Sequence, residues 1–534
     1  MKKTEFLSML TSRNDLKERH IENLEKLKKL AEKFHRDAGT YQEIKHVLDR
    51  EITEKTLVLE SGHQPNFLPY AGVWRKAFLL DFFDKEFSVL DNERECIPLF
   101  GFADYNLCTA KWLYQNRIPA MTKEGFETIG FKISGKDRWK KFDSIEKPPE
   151  AEWTKELERI RTFYRKAIKK NEEAEVNLEM LMEEMWKSYE LGKSFSDVNA
   201  ILFSRVCNLL LGLNVLFFRY SDVQRAGIFM EEWGKIISEL KRFNRLHNET
   251  INRRGLDEIG YSNENSVPFW YHCDCGGKVP LSVVDTSSLV CEGRCPACGC
   301  AHKLRLEELK ILFERMSPDA VTRNLVFSEG LGTDLFISGA GGSLRYGVIS
   351  NEVSREMGFN LPLTLVWTGR DYYSGIVHEM ILNELKKAFD PGTGDMFTLS
   401  EKEVVLKMKE KRDELAEMLR NLGQEEEHKK LIQKYKGYYI NTSTQTRIAG
   451  NIFSLIPSIL DIFVSVGFEG VSESWRSALG NLEIEEGEFY KIDRDVIYGD
   501  ERVARIYRNV KVLEERNDEI DPLGMFNKRD RKDV

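Results

Sequence analysis

The chain has 534 residues, 41% of them hydrophobic and 11% aromatic, which predicts several packed units and excludes a largely disordered chain. Its 79 Lys and Arg against 87 Asp and Glu give a net charge of −8, which disfavours a non-specific electrostatic grip on nucleic acid. The charged N-terminus lacks the apolar run of a signal peptide, so we expect a cytoplasmic protein.

The first element in chain order is a charged, helix-periodic segment over residues 1–55, which predicts a helical lead-in. The β-branched run 56–60, a loop and an apolar helix-periodic segment then predict a strand, a loop and a helix. The apolar segment 96–107 predicts a second strand, which completes the pattern of a parallel βαβ unit. We therefore predict an α/β protein with a Rossmann-like parallel-sheet core over 56–370.

Two inserts are predicted to interrupt this core. One is a helical segment rich in Glu and Lys over 150–192, and the other is a cysteine-rich segment over 265–305. The α/β pattern resumes between and after them, at 194–222 and 332–367, where strand and helix patterns are separated by glycines. One core with two inserted modules follows from this order.

The chain beyond residue 370 is predicted to be helical, with a helical hairpin or short coiled coil over 371–436 and a C-terminal helical region over 437–534. The residues predicted to approximate a coiled-coil seam are Val404, Met408, Leu415, Met418 and Leu422. The apolar stretch 448–467 raises the question of a membrane span, but Pro457 and Asp461 interrupt it. Because a charge near a bilayer centre is costly, we predict buried helices there and no membrane partner.

Six of the nine cysteines lie within 28 residues, in two glycine-containing turns separated by an apolar stretch able to form a hairpin. The predicted metal ligands are Cys273, Cys275, Cys295 and Cys298. Four thiolates from two short turns are typical of tetrahedral zinc, and they leave no position for water, so we predict a structural zinc ion in a zinc-ribbon-like module. Other ligands stay open as substitutes, namely Cys291, Cys300, His272 and His302.

The loop after the first predicted strand, "SGHQPNFLPYAGVWRK" at 61–76, gathers Gly, His, Pro and Asn before two cations. A loop at the carboxyl end of a parallel strand that leads into a helix presents backbone N–H groups to an anion. The residues predicted to hold phosphate there are Gly62, His63, Asn66, Arg75 and Lys76. The alternative is that the prolines only shape a turn and that His63 satisfies a backbone carbonyl.

A second glycine turn, "SGAGGSLRYG" at 338–347, also follows an apolar strand and opens a helix. Its candidate nucleotide- or substrate-binding residues are Gly339, Gly341, Gly342, Ser343 and Arg345. Asp104 follows another predicted strand at the same edge, where it is expected to orient an amine or act as a base, unless it caps a turn. Two glycine turns and this carboxylate are expected to flank one crevice of the sheet.

These segments resemble a known family. "SGHQPNFLPYAGVWRKA" is similar to the "GQQPGLFTGP…KA" loop of the bacillithiol-synthesis cysteine-adding enzymes, the BshC family. "IPLFGFADYNL" lies where that family has a strand ending in "EDHD", and "NLLLGLNVLFFRYSD" is similar to its "GLLVVDPSD" segment. Residues 316–362 parallel its "SPN-LLRP…LP…GGPGE…FG-P-P" pattern, so four similar segments occur in the same order.

The resemblance implies a Rossmann-like core related to class I synthetases and nucleotidyltransferases, with a helical C-terminal arm that forms a homodimer. It implies an activity that joins cysteine to the amino group of a glucosamine–malate conjugate. The chain departs from the family at His63, Ser343 and Arg345, and the acidic cluster is reduced to Asp104, so the acceptor stays open. The octapeptide "HQPNFLPY" also resembles the WbqC-like family, which is associated with attaching amino acids to amino sugars.

The favoured hypothesis is therefore an amide-forming ligase that uses ATP or another nucleotide and small-molecule substrates. In it, the loop at 62–76 holds phosphate, the turn at 339–345 holds nucleotide or acceptor, and His63 and Asp104 are the catalytic candidates. The alternative is a non-catalytic adaptor that binds RNA or protein through the zinc module. The basic residues near that module are Lys278, Arg294, Lys303 and Arg305.

Overall fold

The computed structural model describes residues 1–380, with short gaps at 92–93, 121, 123, 170, 286–288 and 374, isolated positions between 409 and 433, and residues 458–498. The predicted hairpin seam lies outside the described residues, as does the end of the chain from 499 onwards.

The strands are β1 (Leu57–His63), β2 (Cys96–Phe102), β3 (Gln115–Pro119), β4 (Phe126–Gly130), β5 (Leu216–Arg219), β6 (Ser266–His272), β7 (Lys278–Asp285), β8 (Val290–Arg294), β9 (Ala301–Arg305), β10 (Met316–Pro318), β11 (Leu335–Gly339), β12 (Leu363–Trp367), β13 (Asp371–Tyr373), β14 (Tyr490–Ile492) and β15 (Val496–Tyr498).

The α-helices are α1 (Lys3–Thr11), α2 (Glu18–Ala38), α3 (Tyr41–Leu48), α4 (Ala71–Leu90), α5 (Glu150–Ile168), α6 (Glu172–Leu191), α7 (Phe195–Arg205), α8 (Tyr220–Arg225), α9 (Met230–Ser238), α10 (Leu240–Arg254), α11 (Leu309–Leu312), α12 (Ala320–Leu331), α13 (Ala340–Gly342), α14 (Val348–Met357) and α15 (Ile459–Leu479). Two π-helical turns are Val206–Leu210 and Ser343–Gly347. The 3₁₀ turns are Lys111–Leu113, Asp137–Trp139, Phe142–Ser144, Asp257–Ile259, Leu306–Glu308 and Phe313–Arg315.

The α/β prediction is confirmed by a six-stranded sheet in the order β14–β12–β11–β1–β2–β5, in which every pairing is parallel. From β1 the chain continues outward to β2 and β5, whereas β11 lies on the other side of β1 and continues to β12 and β14. The strand order therefore reverses between β1 and β11. This is the switch point of a Rossmann-like sheet, where ligands bind outside the carboxyl ends of the strands.

Successive side chains of β1 point to opposite faces of the sheet, and each face has its own apolar cluster. Leu57 and Leu59 belong to the cluster that contains side chains of α4, α7 and α15. Val58 belongs to the cluster that contains side chains of α2, α12 and α14. The sheet is thus the middle layer of three, and both its faces are buried, as in other parallel sheets.

The cysteine-rich segment forms a second, five-stranded sheet with the order β10–β6–β7–β8–β9 and antiparallel pairings. Its strand β10 leads directly into α12, whose first turn is capped by Asp319 through a 2.7 Å bond from the Thr322 amide. Strand β10 therefore links the second sheet to the core, because it pairs with β6 and continues into the core helix α12.

The prediction of a helical region over 437–534 agrees with α15, but the described residues that follow it also form two strands. β14 adds an edge strand to the main sheet beside β12, and β15 pairs with β13 in a separate two-stranded sheet. The runs around Tyr490 and Val496 have the alternating period of strands.

Within the described ranges, no helix has the length and apolar character needed to cross a membrane. Of the apolar stretch 448–467, the structure describes the part from 458 onwards, which is the start of α15. Asp461 in that helix is buried and accepts a 3.0 Å hydrogen bond from the Tyr164 hydroxyl.

Candidate functional site

A cavity of about 1000 Å³ lies at the switch point, between the loops that follow β1 and β11. The two predicted glycine loops both line it, because β1 and β11 are parallel neighbours whose carboxyl ends meet at one edge. The first turns of α4 and α12 also contribute, through Gly72, Val73, Ala320 and Arg323. Backbone N–H groups and positive dipole ends of these helices therefore lie at the same cavity.

Gly62 is required by packing at the end of β1. A Cβ placed on it would lie 2.3 Å from the hydroxyl of Tyr220 and 2.9 Å from the carbonyl oxygen of Gly101. Gly101 of β2 is restricted in the same way, by the ring of Tyr220 at 1.9 Å. The two glycines therefore let the ring of Tyr220 pack against the ends of β1 and β2.

His63 lines the cavity, but its geometry favours the alternative in which it satisfies a backbone carbonyl. Its Nδ1 donates to the carbonyl oxygen of Gln64 at 2.9 Å, so Nε2 is left as the acceptor nitrogen of a neutral ring. Burial and the charge of Lys76 lower the pKa of His63 to about 3. A neutral ring with Nε2 as an acceptor does not donate to phosphate, which corrects the predicted role.

Asn66 and Asp104 do not line the cavity, which corrects two further predicted roles. Asn66 is buried in the loop. Asp104 accepts hydrogen bonds from the amide of Ser221 at 3.0 Å and from its hydroxyl. Burial and the charge of Asp143 raise the pKa of Asp104 to about 7. This carboxyl group therefore caps the junction of β5 and α8, a structural role that sequence reasoning offered only as the alternative.

Both predicted cations of the first loop do line the cavity. Arg75 pairs with Asp371, with Nη2 3.2 Å from Oδ2, and its guanidinium lies 4.5 Å from the ring centroid of Trp367. Lys76 donates to the carbonyl oxygen of Gly62 at 2.6 Å and has no carboxylate within 4.0 Å among the described residues. Lys76 is thus the cation of this loop that is available to an anion.

Arg323, which sequence analysis missed, is a second available cation, and Arg370 also lines the cavity without a carboxylate partner among the described residues. Arg323 lines the cavity from α12, and no carboxylate of the described part of the chain lies within 4.0 Å of it. Its charge lowers the pKa of Lys76, which places the two groups in the same electrostatic environment. The sequence contained one signal for Arg323. A cation in the first turn of a helix is unfavourable beside the positive end of the helix dipole, and a bound anion would offset that cost.

The second glycine turn contributes Gly339, Gly341 and Gly342 to the cavity. A Cβ placed on Gly339 or Gly341 would meet no atom within 4 Å, so these glycines are not required by packing within the protein and border open space. Residues 340–357 continue as one helical segment through the π-helical turn, an irregularity that is frequent at functional sites.

Two predicted residues of this turn lie elsewhere. Ser343 is buried behind the turn in a small polar pocket, where its hydroxyl has no hydrogen-bond partner among the described residues. Arg345 is exposed and lies 3.5 Å from a carboxylate oxygen of Glu258, outside the cavity. The substrate contacts predicted for Ser343 and Arg345 are therefore wrong, because neither side chain lines the cavity. Because residues three or four positions apart share a helix face, Gly342 and Tyr346 border the cavity while Ser343 and Arg345 lie on other faces.

We expect sulfate, a dianion at every pH near neutrality, to bind this cavity more weakly as the pH rises through about 7. Burial and the charge of Arg323 lower the pKa of Lys76 to about 7, so its ammonium group is lost in that range. Loss of one charge-assisted hydrogen bond predicts a decrease in affinity of about ten-fold or more. Isothermal titration calorimetry at several pH values measures this decrease.

Lys76→Met is the matched variant, and its weaker sulfate affinity is expected to be constant over the same range. His63 does not contribute, because its pKa lies far below neutrality. Lys278, whose pKa burial lowers to about 7, lies outside the cavity. If the sulfate affinity of Lys76→Met still falls across pH 7, a group other than Lys76 titrates there and the prediction is wrong.

The four predicted metal ligands come together, which confirms the ligand set as a cluster. The sulfur atoms of Cys273, Cys275, Cys295 and Cys298 all lie within 4.8 Å of one another, and two of the pairs are 3.6 Å apart. Four thiolates about 2.3 Å from one zinc ion are separated by about 3.8 Å, so the donor set fits tetrahedral zinc. Gly277 permits this approach, since a Cβ there would lie 2.5 Å from the sulfur of Cys295.

The alternative ligands lie outside that cluster. Cys291 is buried in an apolar core, and His272 Nε2 is 2.9 Å from the hydroxyl of Ser317. His302 packs against the ring of Tyr271, and Cys300 is exposed. Lys278 is one of the four basic residues predicted for an adaptor surface. It is buried over the rings of Tyr105 and Trp270, so it does not lie on that surface.

Comparisons with known proteins add little to this geometry. No protein-family model matches the chain, and no curated protein matches it. Among solved structures, the chain is similar to an arginyl-tRNA synthetase of Thermus thermophilus, with 10% identity and a TM-score of 0.22 over 89% of this chain and 82% of that one. A TM-score of that size carries no argument about fold or function.

Proposed function

We propose that this protein is a nucleotide-dependent ligase that joins the carboxyl group of an amino acid to the amine of an acceptor. The observation that carries the proposal is the cavity between β1 and β11, where both glycine loops meet Lys76 and Arg323. In open parallel sheets, nucleotides bind in the crevice at this position.

The phosphate groups of the nucleotide are assigned to the end of the cavity formed by Lys76, Arg323 and the turn at 339–342. Both cations lack a carboxylate partner in the described part of the chain, so an anion completes their pairing. The first turns of α4 and α12 add backbone N–H groups. Glycines at 339 and 341 leave space for phosphate oxygens close to the backbone.

A free carboxylate is a poor acyl donor and has to be activated. In the proposed reaction, an oxygen of the amino acid carboxylate forms a bond to a phosphorus atom of ATP, and pyrophosphate or ADP leaves. The acceptor amine then attacks the acyl carbon and gives up a proton, and AMP or inorganic phosphate leaves. Lys76 and Arg323 stabilise the negative charge that develops on the phosphate oxygens.

The amine is assigned to Asp371, which also lines the cavity. This residue is the acidic one among the described residues that line the cavity. Its carboxylate is held by Arg75 at 3.2 Å and by the hydroxyl of Tyr498 at 2.9 Å, which fixes its orientation. Asp371 thereby takes the amine-binding role that sequence analysis gave to Asp104.

The sequence resemblance to the BshC and WbqC-like families supports the same reaction class, with cysteine as the amino acid and an amino-sugar conjugate as the acceptor. Within this proposal the four-cysteine site holds a structural zinc ion, because four thiolates close its coordination sphere. A homodimer formed through the C-terminal helices predicted from the sequence is part of the same proposal.

The proposal predicts amino-acid-dependent turnover of ATP by the full chain. Exchange of labelled pyrophosphate into ATP is expected if the intermediate is an acyl adenylate, and ADP release if it is an acyl phosphate, with cysteine the best substrate among the proteinogenic amino acids. Asp371→Asn is expected to bind ATP normally and to lose amide formation with an amine acceptor. Absence of both activities with every amino acid, in protein that binds ATP, contradicts the ligase assignment.

A further inference from the structure

A patch of exposed tryptophans and cations lies beside the cavity, on segments that the proposed ligase reaction does not use. The side chains of Trp112 and Trp139 are 60% and 47% exposed, which is unusual for the largest apolar side chain. Trp112 belongs to the 3₁₀ turn before β3, and Trp139 ends the 3₁₀ turn at 137–139.

The two segments are held together by hydrogen bonds. Arg138 donates to the carbonyl oxygen of Thr109 at 3.4 Å, and the amide of Cys108 donates to the carbonyl oxygen of Lys140 at 3.2 Å. Each tryptophan therefore lies within three residues of the contact between Thr109 and Arg138. The two exposed tryptophans thus lie on segments that are joined directly to each other.

The charge of these segments differs from that of the whole chain. Residues 107–141 contain eight Lys and Arg against three Asp and Glu, a balance of +5, in a chain whose net charge is −8. Five of these cations have no carboxylate within 4.0 Å among the described residues, and one of the five, Arg117, lies over the ring of Phe126. The other four are Lys111, Lys132, Lys136 and Arg138. We call these four cations, together with Trp112 and Trp139, the tryptophan patch.

The patch adjoins the cavity. The amide of Phe67, in the loop after β1, donates to the carbonyl oxygen of Trp112 at 3.2 Å. Asn106, which lines the cavity, accepts a 2.9 Å hydrogen bond from the amide of Phe142, three residues after Trp139. The segments that carry the two tryptophans are thus bonded to the loop after β1 and to a residue that lines the cavity.

We propose that the tryptophan patch binds single-stranded nucleic acid, with the indoles of Trp112 and Trp139 stacking on bases and the four cations contacting phosphates. Stacking platforms flanked by cations bind single strands with little sequence preference, because every base has a π-face. The local positive balance favours this polyanion over a protein partner, which would need a complementary acidic and apolar surface. The inference is independent of the proposed ligase activity.

The test uses the full chain and fluorescein-labelled oligouridine and oligothymidine of about 12 nucleotides, measured by fluorescence anisotropy. Four phosphate contacts predict a slope of about −2.8 for log affinity against log salt, or a loss of about 50-fold between about 50 and 200 mM salt. Trp112→Ala and Trp139→Ala are each expected to weaken binding about five-fold or more. Lys111→Ala with Arg138→Ala is expected to reduce the slope to about −1.4.

The matched control removes two exposed cations elsewhere, Lys303 and Arg305 on β9, and is expected to leave affinity and slope unchanged. Tighter binding of oligouridine identifies RNA as the ligand, and tighter binding of oligothymidine identifies DNA. The proposal is overturned if neither strand binds, or if the β9 control loses as much affinity as the patch variants. It is also overturned if sedimentation shows that Trp112→Ala instead abolishes self-association.

Discussion

Arg323→Gln is expected to weaken ATP binding by about 10- to 150-fold, the range for loss of a charge-assisted hydrogen bond from an enclosed site. The guanidinium lines the cavity and has no carboxylate partner in the described part of the chain, so its pairing is completed by the bound anion. Isothermal titration calorimetry with ATP measures the change. The substitution removes no ion pair of the described residues, but it removes a 3.4 Å hydrogen bond to Asn106 and a contact with the ring of Tyr220, so the melting temperature is measured beside the affinity.

A second readout tests whether Arg323 and Lys76 act on the same bound anion. The charge of Arg323 lowers the pKa of Lys76, so its removal is expected to raise that pKa and to move the pH dependence of sulfate binding upward. A side chain distant from Lys76 would leave this pH profile in place, whatever its effect on the melting temperature.

Arg345→Gln is the matched control, because it removes the same charge from the neighbouring turn but from a side chain 3.5 Å from Glu258 and outside the cavity. It is expected to bind ATP as the unaltered protein does. The assignment of phosphate to Arg323 is wrong if Arg323→Gln binds ATP as the unaltered protein does, or if Arg345→Gln weakens binding as much as Arg323→Gln.

The strands beside the cavity are predictable from local pattern. The β-branched run before Gly62 and the apolar run before Gly339 both have strand character, and each is followed by a helix pattern. Parallel strands then place both loops at one edge of the sheet. The sequence pattern does not show that β1 and β11 are neighbours. Their contact depends on pairs such as Leu59 with Leu335, which are far apart in the sequence.

Side-chain direction at the loops is less predictable than loop position. Asp104 follows β2 at the expected edge, but its carboxyl group turns to Ser221, a residue more than a hundred positions away. Arg345 follows three cavity-lining glycines, but the helical turn carries it outward to Glu258. In each case a partner distant in the sequence decides the role, so residue type and spacing alone could not assign it.

The cysteine ligands were predictable because the constraint is local. Two short turns each carry two sulfurs, and a tetrahedral ion requires four within a few ångströms. The connection of this module to the cavity was not predictable. It depends on the pairing of β10 with β6 and on the direct continuation of β10 into α12, which carries Arg323.

Cys295→Ser is expected to remove bound zinc and to melt the module over 266–305 before the rest of the protein. Cys295 is buried at the cluster, and its sulfur lies 3.6 Å from that of Cys275, so its loss leaves three thiolates around the ion. Structural zinc contributes about 10–16 kcal/mol of apparent binding free energy in small zinc peptides, most of it coupled to folding. Metal analysis, scanning calorimetry and limited proteolysis of the module measure the effect.

Cys300→Ser is the matched control, since this exposed cysteine in the same turn is not one of the four clustered sulfurs. It is expected to retain one zinc ion per chain and the unaltered melting profile. Melting of the module frees β10 from β6, and α12 then loses the strand pairing that fixes its first turn. Cys295→Ser should therefore also weaken ATP binding, through Arg323. An unchanged melting profile and ATP affinity in a zinc-free Cys295→Ser protein would show that the metal supports neither the module nor the cavity.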